Sequence, residues 1–156
     1  MDPAWQKYKC VEVKALPTGF WNLVSSYVPG SRLLRFTVVN RDANGDPVLT
    51  TWDPGTGTKC SADGIITSPA KSGLLSTATL FGSLVGKVGG SSADVPDSGA
   101  PSTPYGTKRV FGVGSHCVIS LATTESGPLY LTMNDSPDGF ASHSGSLHVL
   151  IEQYAL

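Results

Sequence analysis

The sequence predicts an all-β protein, built as a two-sheet antiparallel β-sandwich of jelly-roll type. Its 18 glycines and 11 prolines are spread along the chain between short runs of Val, Leu, Ile, Phe and Thr, a pattern typical of many strands joined by turns. No segment shows a sustained 3.6-residue hydrophobic period with caps, so no long helix is expected. About nine or ten strands in 156 residues indicate a single domain, residues 1–156.

Alternating hydrophobic residues, bounded by turn residues, place the strands along the chain. The longer predicted strands are Tyr8–Ala15, Phe20–Tyr27, Leu33–Val39, Thr77–Gly89, Lys108–Val113, His116–Leu121, Leu129–Met133 and Leu147–Ile151. Short strands are also predicted after Asn40–Pro47 and at Ile65-Ile66. Gly82 and Gly86 predict bulges or close contact between sheets. The pair Gly114-Ser115 predicts a hairpin between the strands on either side of it. The Ser-, Pro- and Gly-rich segment Gly90–Gly106 predicts an exposed, mobile loop.

The segment Asn40–Pro47 allows two interpretations. Asp42, Asn44 and Asp46 alternate like the first ligands of a calcium loop. However, Asn44-Gly45 between β-rich runs is a strong hairpin signal, and the bidentate glutamate that ends a calcium loop is missing. A hairpin is therefore the preferred prediction.

Charge and cysteine content exclude several classes of protein. The net charge is −1 without a Lys/Arg cluster, so nucleic acid is not an expected partner.

No apolar run reaches the roughly 18 residues of a membrane span, and Met1–Cys10 lacks the apolar centre of a signal peptide. The chain is therefore expected in the cytoplasm, or to be released by a non-classical route. Cys10, Cys60 and Cys117 suit free thiols, although a Cys10–Cys60 or Cys60–Cys117 bridge is compatible with the sequence.

A polar loop, Asn134–Ser144, is the candidate binding site. It lies between the predicted strands Leu129–Met133 and Leu147–Ile151, and strands that present a polar loop commonly form sites. Asp135 and His143 have plainer interpretations, as an Asx-turn residue and as a solvent-facing imidazole. The loop offers the side chains of Asn134, Asp135, Ser136, Asp138, Ser142, His143 and Ser144.

Four patches of sequence resemble the calcium-dependent galactophilic bacterial lectins of the LecA type. They are Tyr27–Gly30, Trp52–Gly55, Gly82–Gly89, and Leu129–Pro137 followed by Ser144–Ser146. The resemblance implies a small β-sandwich in which a calcium ion, held by the loop, binds sugar hydroxyls. It assigns Asp135 as the acidic metal ligand and Gly139 as a carbonyl ligand. Calcium takes 6–8 oxygen ligands, and vicinal hydroxyls can replace two of its waters.

The chain departs from the lectin pattern at several implied positions. Ser142 and His143 stand where the family has two asparagine ligands, and Cys60 and Asp63 stand where it has a histidine and a glutamine that contact the sugar. No tyrosine occurs within Asn40–Asp46 to supply the family's carbonyl ligand. Imidazole nitrogen suits zinc or copper better than calcium.

The predicted function is recognition of galactose-type or related sugars through Asn134–Ser144, with calcium as an expected cofactor. The predicted sugar-binding residues are Asp135, Ser136, Gly139, Ser142, Trp52 and Asp63, and the predicted metal ligands are Asp135, Gly139, Ser142 and His143. The resemblance also implies that homo-oligomers can form. The alternative is a structural or interaction protein of the same fold without metal or sugar binding.

Trp52 can either stack on a sugar or lie in the core. No catalytic motif is present, so an enzyme is not expected. His116 and Cys117 are adjacent on a strand and must point to opposite faces, and His148 alternates with apolar residues and is expected to face away from the core.

Overall fold

The computed structural model describes residues 5–93 and 109–155. In chain order the strands are β1 (Gln6–Lys14), β2 (Asn22–Val28), β3 (Arg32–Val39), β4 (Thr51–Trp52), β5 (Cys60–Ser61), β6 (Leu84–Val88), β7 (Val110–Gly112), β8 (His116–Leu121), β9 (Gly127–Met133) and β10 (Ser146–Ala155). A six-residue 3₁₀ helix, Pro137–Ser142, is the only helix in these two ranges. Within them, no helix has the length and apolar character that a membrane crossing requires.

The strands form two four-stranded antiparallel sheets and a small ribbon of β4 and β5. The first sheet has the order β1-β10-β3-β8, and the second has the order β2-β9-β6-β7. Side chains from both sheets form one core between them, including Leu34, Phe36 and Val149 from the first sheet and Leu84 and Leu131 from the second. The predicted antiparallel β-sandwich is confirmed.

Strand β10 shows why the alternation predicted the fold. Leu147, Val149 and Ile151 are fully buried in the core, whereas His148 and Leu150 between them are only partly buried. Successive side chains of a strand point to opposite faces, so one face of β10 packs inward and the other faces outward. His148 therefore faces away from the core, as expected.

The second sheet is covered on both faces. Leu129, Leu131 and Met133 point into the main core, but Tyr130 and Thr132 between them are buried as well. A second apolar cluster lies on the outer face of this sheet, formed by Trp21, Leu75, Val85, Tyr130 and Phe140. Residues from the irregular parts of the chain thus close the outer face, and this layer carries the candidate loop.

Two strand predictions are wrong in detail. Only Leu84–Val88 of the predicted strand Thr77–Gly89 is extended in a sheet, because the chain before it bends around the side chain of Asn134. The residues around Gly114-Ser115 do not form a hairpin, since β7 pairs in the second sheet and β8 in the first. The turn instead carries the chain from one sheet to the other. The predicted loop Gly90–Gly106 lies outside the described residues from position 94 onward.

The other local predictions agree with the structure. The Asn40–Pro47 segment forms a tight turn closed by an antiparallel bridge between Arg41 and Pro47, with Gly45 at a φ of 84°. One carboxylate oxygen of Asp42 accepts backbone hydrogen bonds from Asn44 and Asp46, both of 2.9 Å. The segment is therefore a tight turn with antiparallel backbone pairing, as the hairpin prediction requires, although the strands on either side of it, β3 and β4, do not pair with each other. All three cysteines are free thiols.

Candidate functional site

The loop Asn134–Ser144 carries the chain from β9 in the second sheet to β10 in the first. Its middle is the 3₁₀ helix Pro137–Ser142, which begins after Ser136 in an extended conformation. Phe140 of this helix is buried in the outer cluster, where its ring meets Phe20 edge-on at a centroid distance of 5.2 Å. The loop is therefore anchored by its own apolar residue and presents its polar groups on a fixed frame.

Asn134 is fully buried and holds the preceding irregular segment in place. Its Nδ2 donates to the carbonyl of Ser76 at 2.9 Å and to the hydroxyl of Thr79 at 2.9 Å, and its Oδ1 accepts from the Ser76 backbone at 2.9 Å. A buried amide needs such partners, because an unpaired polar group in the interior costs about 1–3 kcal/mol. Asn134 is thus a structural residue and is closed to a ligand.

Asp135 is also fully buried, and both of its carboxylate oxygens are occupied. Oδ1 lies 2.6 Å from the Nζ of Lys71 and accepts the backbone N–H of Ser136 at 2.6 Å. Oδ2 lies 2.7 Å from the Nε2 of His143. Gly139 packs directly against this carboxylate, and a Cβ at Gly139 would overlap it. The carboxylate is therefore enclosed by nitrogen donors and backbone.

His143 connects this carboxylate to Ala15, the residue that follows β1. Its Nδ1 lies 2.8 Å from the carbonyl oxygen of Ala15, which can only accept, so Nδ1 carries a hydrogen. Its Nε2 lies 2.7 Å from Oδ2 of Asp135, so the imidazole bridges the carboxylate and the Ala15 carbonyl. The side chain is 4% exposed, and the interpretation of His143 as a solvent-facing imidazole is wrong.

Lys71 is the partner of Asp135 that sequence reasoning missed. It comes from the irregular segment between β5 and β6, and its Nζ also lies 4.3 Å from the centroid of the Phe81 ring. The only available signal was that Lys71 is the sole charged residue between Asp63 and Lys87. A single cation in an otherwise uncharged stretch is a reason to look for a buried carboxylate.

The surroundings lower the pKa of Asp135. Burial by itself raises the pKa of this carboxyl, but hydrogen bonds from His143, Lys71 and the Ser136 backbone, together with the charge of Lys71, outweigh that effect. Asp135 is consequently ionised at neutral pH.

The remaining predicted site residues are spread over different places. Trp52 is fully buried, and its indole N–H donates to the carbonyl of Gly82 at 2.9 Å, so its ring lies in the core and has no face for a sugar. Asp63 lies at another turn, where it accepts from the backbone and the hydroxyl of Ser115, both at 2.8 Å. Ser136 is partly exposed and Ser142 is exposed on the surface of the loop.

Two of the patches that carry the lectin resemblance do meet in space. Asp53 and Ser144 form an antiparallel bridge, with backbone hydrogen bonds of 2.9 and 3.0 Å. Gly55 lies so close to Ser142 that a Cβ on the glycine would come within 2.6 Å of the serine Cβ. The patch Trp52–Gly55 thus packs against the C-terminal part of the candidate loop, residues 142–144.

The arrangement around Asp135 does not fit a calcium ion. Calcium takes 6–8 oxygen ligands, whereas the atoms around this carboxylate are the nitrogens of Lys71, His143 and Ser136. An ion bound to Asp135 would have to displace an ammonium group at 2.6 Å. Moreover, no cluster of three or more His, Cys, Asp or Glu side chains suited to a metal occurs in the described part of the chain.

A cleft of about 430 Å³ opens next to Lys71. Small-molecule sites commonly have volumes of about 300–1,000 Å³. The cleft is walled by Ile66, Leu80 and Phe81 and bordered by the hydroxyl groups of Thr67 and Thr77. Gly73, which also lines the cleft, lies against Ser136, since a Cβ on Gly73 would be 3.6 Å from the serine Cβ. The candidate loop and the cleft are therefore adjacent at Gly73.

Comparison with known proteins identifies a fold relative. No protein-family model and no curated protein matches the sequence. Among solved structures, the chain is similar to the EclA N-terminal domain, described as a PllA-like lectin, with a TM-score of 0.52 and 14% sequence identity. The match covers 96% of this chain and 97% of that domain. The protein therefore has the fold of a lectin domain over nearly its whole length.

Proposed function

We propose that the protein is a lectin-like carbohydrate-binding protein that recognises a galactose-type or related sugar at the loop Asn134–Ser144 and the adjoining cleft. The observation that carries this proposal is the likeness to a lectin domain, which extends over 96% of the chain. At 14% identity this likeness concerns the fold, so the sugar is inferred from the site and from the sequence resemblance.

The site offers the two kinds of surface that a sugar requires. Leu80 and Ile66 are 43% and 85% exposed, and such apolar groups can pack against the C–H face of a pyranose ring. Thr77 provides a hydroxyl group in the lining of the cleft, Ser136 provides another next to Gly73, and Lys71 provides a charged donor for ligand oxygens. An apolar wall with a few polar groups is the usual composition of a small-ligand site.

The test is calorimetric titration of the purified protein with galactose and a small glycan panel, with calcium and after chelation. Binding of a galactose-type sugar supports the proposal. A Ser136→Arg variant, which places a bulky chain between loop and cleft, should then weaken binding at least about tenfold, or about 1.4 kcal/mol. Ser26→Arg on the exposed face of β2 serves as the control and should bind normally.

A second candidate function is an interaction protein with this fold that has lost sugar binding. It is favoured by the enclosure of Asp135, whose oxygens are occupied by other side chains and backbone. If no glycan binds in either condition, this candidate replaces the first. We also propose, from the lectin resemblance, that the protein forms homo-oligomers, and light scattering after size exclusion tests this.

A further inference from the structure

We propose that Lys71 is a built-in cation at Asp135, and that the cleft it lines binds a neutral saccharide without any metal ion. The saccharide part rests on the proposed carbohydrate-binding function. The role of Lys71 rests on the geometry alone and can be tested separately.

The charge of Asp135 is balanced by a neighbouring side chain. A fully buried carboxylate requires a positively charged or hydrogen-bonded partner, because an isolated buried charge is very costly. The Nζ of Lys71 provides that charge at 2.6 Å. The same ammonium makes a cation–π contact with the Phe81 ring, whose centroid lies 4.3 Å away. The chain thus fills with one of its own side chains the position at this carboxylate that a metal ion would need.

Lys71 and Asp135 differ in their exposure to the cleft. The Lys71 side chain is 34% exposed, whereas the Asp135 side chain is 0% exposed. Lys71 also lines the cleft, so a ligand there can contact the Lys71 side chain but not the enclosed carboxylate. An ammonium has three N–H donors, and a single carboxylate oxygen does not use all of them. The remaining donors are available for hydroxyl oxygens of a bound sugar.

The charge and the lining of the cleft favour a neutral, partly apolar ligand. Asp135 offsets the charge of Lys71, so the cleft does not need an anionic ligand to balance it. The exposed side chains of Ile66 and Leu80 line the same cleft as Lys71 and form an apolar wall beside this donor. A neutral saccharide, with oxygen acceptors on its edge and C–H groups on its face, matches this combination.

The experiment compares wild type with Lys71→Met, Lys71→Arg and the control Lys59→Met, which changes an exposed lysine outside the cleft. The first measurement is the thermal unfolding midpoint in excess calcium and after chelation. The second is titration in chelator with the tightest-binding neutral glycan of the panel. Circular dichroism establishes that each variant is folded.

The unfolding midpoint of wild type is expected to be the same with calcium and with chelator, and the glycan is expected to bind in chelator. Lys71→Met should weaken binding about tenfold or more, the loss expected for one charge-assisted hydrogen bond. Lys71→Arg keeps the cation and should retain most of the affinity, and Lys59→Met should bind like wild type.

Three results would overturn the inference. They are a calcium-dependent rise of the wild-type midpoint, glycan binding that requires calcium, and unchanged affinity in a folded Lys71→Met variant. If Lys71→Met does not fold, the wild-type measurements with and without calcium and the glycan affinity of Lys71→Arg still test the inference. If wild type binds no glycan at all, the proposed function and the saccharide part both fail, whereas the calcium measurement still decides the role of Lys71.

Discussion

Asp135 joins distant parts of the chain through one buried side chain. Its carboxylate contacts Lys71 from the segment before β6 and His143 from the end of the 3₁₀ helix. Through His143 it is connected to the carbonyl of Ala15, just after β1, and its own carbonyl accepts the backbone N–H of Leu75. Removing this charge should therefore loosen several segments at once.

The variant Asp135→Asn is expected to lower the free energy of unfolding by about 3 kcal/mol, because it breaks a buried charge pair and leaves its partners uncompensated. Within this total, the Lys71–Asp135 pair contributes less than the fully buried His143–Asp135 contact, because the Lys71 side chain is 34% exposed and therefore partly solvated. Urea unfolding at neutral pH measures the change. Asp138→Asn, an exposed carboxylate in the same loop, should change stability by less than about 0.5 kcal/mol. Equal effects of the two variants would contradict the assigned role of Asp135.

The lowered pKa of Asp135 predicts how stability depends on pH. Its pKa in the folded state lies below the value in the unfolded chain, which is about 3.9 for an aspartate. The stabilisation is therefore fully present above about pH 4 to 5 and is lost as pH falls through the folded-state pKa. The difference in unfolding free energy between wild type and Asp135→Asn should shrink below about pH 4. If this free-energy difference stays constant down to the lowest pH at which wild type folds, the ionised carboxylate of Asp135 is not the source of the stabilisation.

The sequence could place Asp135 and His143 in one site but could not assign their roles. Both residues belong to the same short loop, so their proximity follows from chain connectivity. Lys71 lies in a stretch without hydrophobic periodicity, and no local pattern relates it to the loop. Trp52 is similar, because a tryptophan beside a polar segment has the same sequence pattern whether its ring is buried or exposed.

At the scale of elements, the turn at Gly114-Ser115 shows the limit of periodicity. A hairpin and a crossing between sheets both consist of two alternating strands around a short turn, and alternation reports only the buried face. In the structure the turn is a crossing between sheets, and the carboxylate of Asp63 accepts hydrogen bonds from the backbone N–H and the hydroxyl of Ser115, both at 2.8 Å. Asp63 thus holds the crossing in place from a distant loop.

The variant Asp63→Ala is expected to lower the free energy of unfolding by about 1–2 kcal/mol, since two hydrogen bonds to a carboxylate are lost at a partly solvated turn. Ser115→Ala should cost less, because the backbone N–H bond to Asp63 remains. Chemical denaturation of both variants and of the double variant gives the coupling between the two residues. Glycan binding should not change in either variant. A loss of binding with unchanged stability would return Asp63 to the sugar site predicted from the resemblance.

At the scale of the whole molecule, the first sheet places the first and the last of the described strands side by side. Strand β10, the last of the described strands, lies between β1 and β3 and pairs with both. The sequence predicted most of these strands and the two-sheet architecture, because alternation and turns are local properties. Strand order and register depend on contacts between distant residues, which one sequence does not reveal.

The buried thiol of Cys60 gives a way to measure the stability of this assembled core. Cys60 is 5% exposed between the sheets, its Sγ lies 3.7 Å from the carbonyl of Gly82, and burial raises the pKa of its thiol. Reaction with a thiol reagent requires both exposure and ionisation of the sulfur. In a Cys10→Ser/Cys117→Ser variant, Cys60 should therefore react more slowly than a free, exposed thiol. The ratio of the two rates equals the fraction of molecules in which the core around Cys60 is open.

Increasing urea should accelerate this reaction in parallel with global unfolding, because Cys60 belongs to the core shared by both sheets. Variants that keep only Cys10 or only Cys117, whose side chains are partly exposed, provide the comparison and should react faster in the native state. A Cys60 that reacts as fast as they do, or with no dependence on urea, would mean that the β4–β5 ribbon opens locally. The core would then consist of the two four-stranded sheets alone, with the ribbon as a separate and weaker unit.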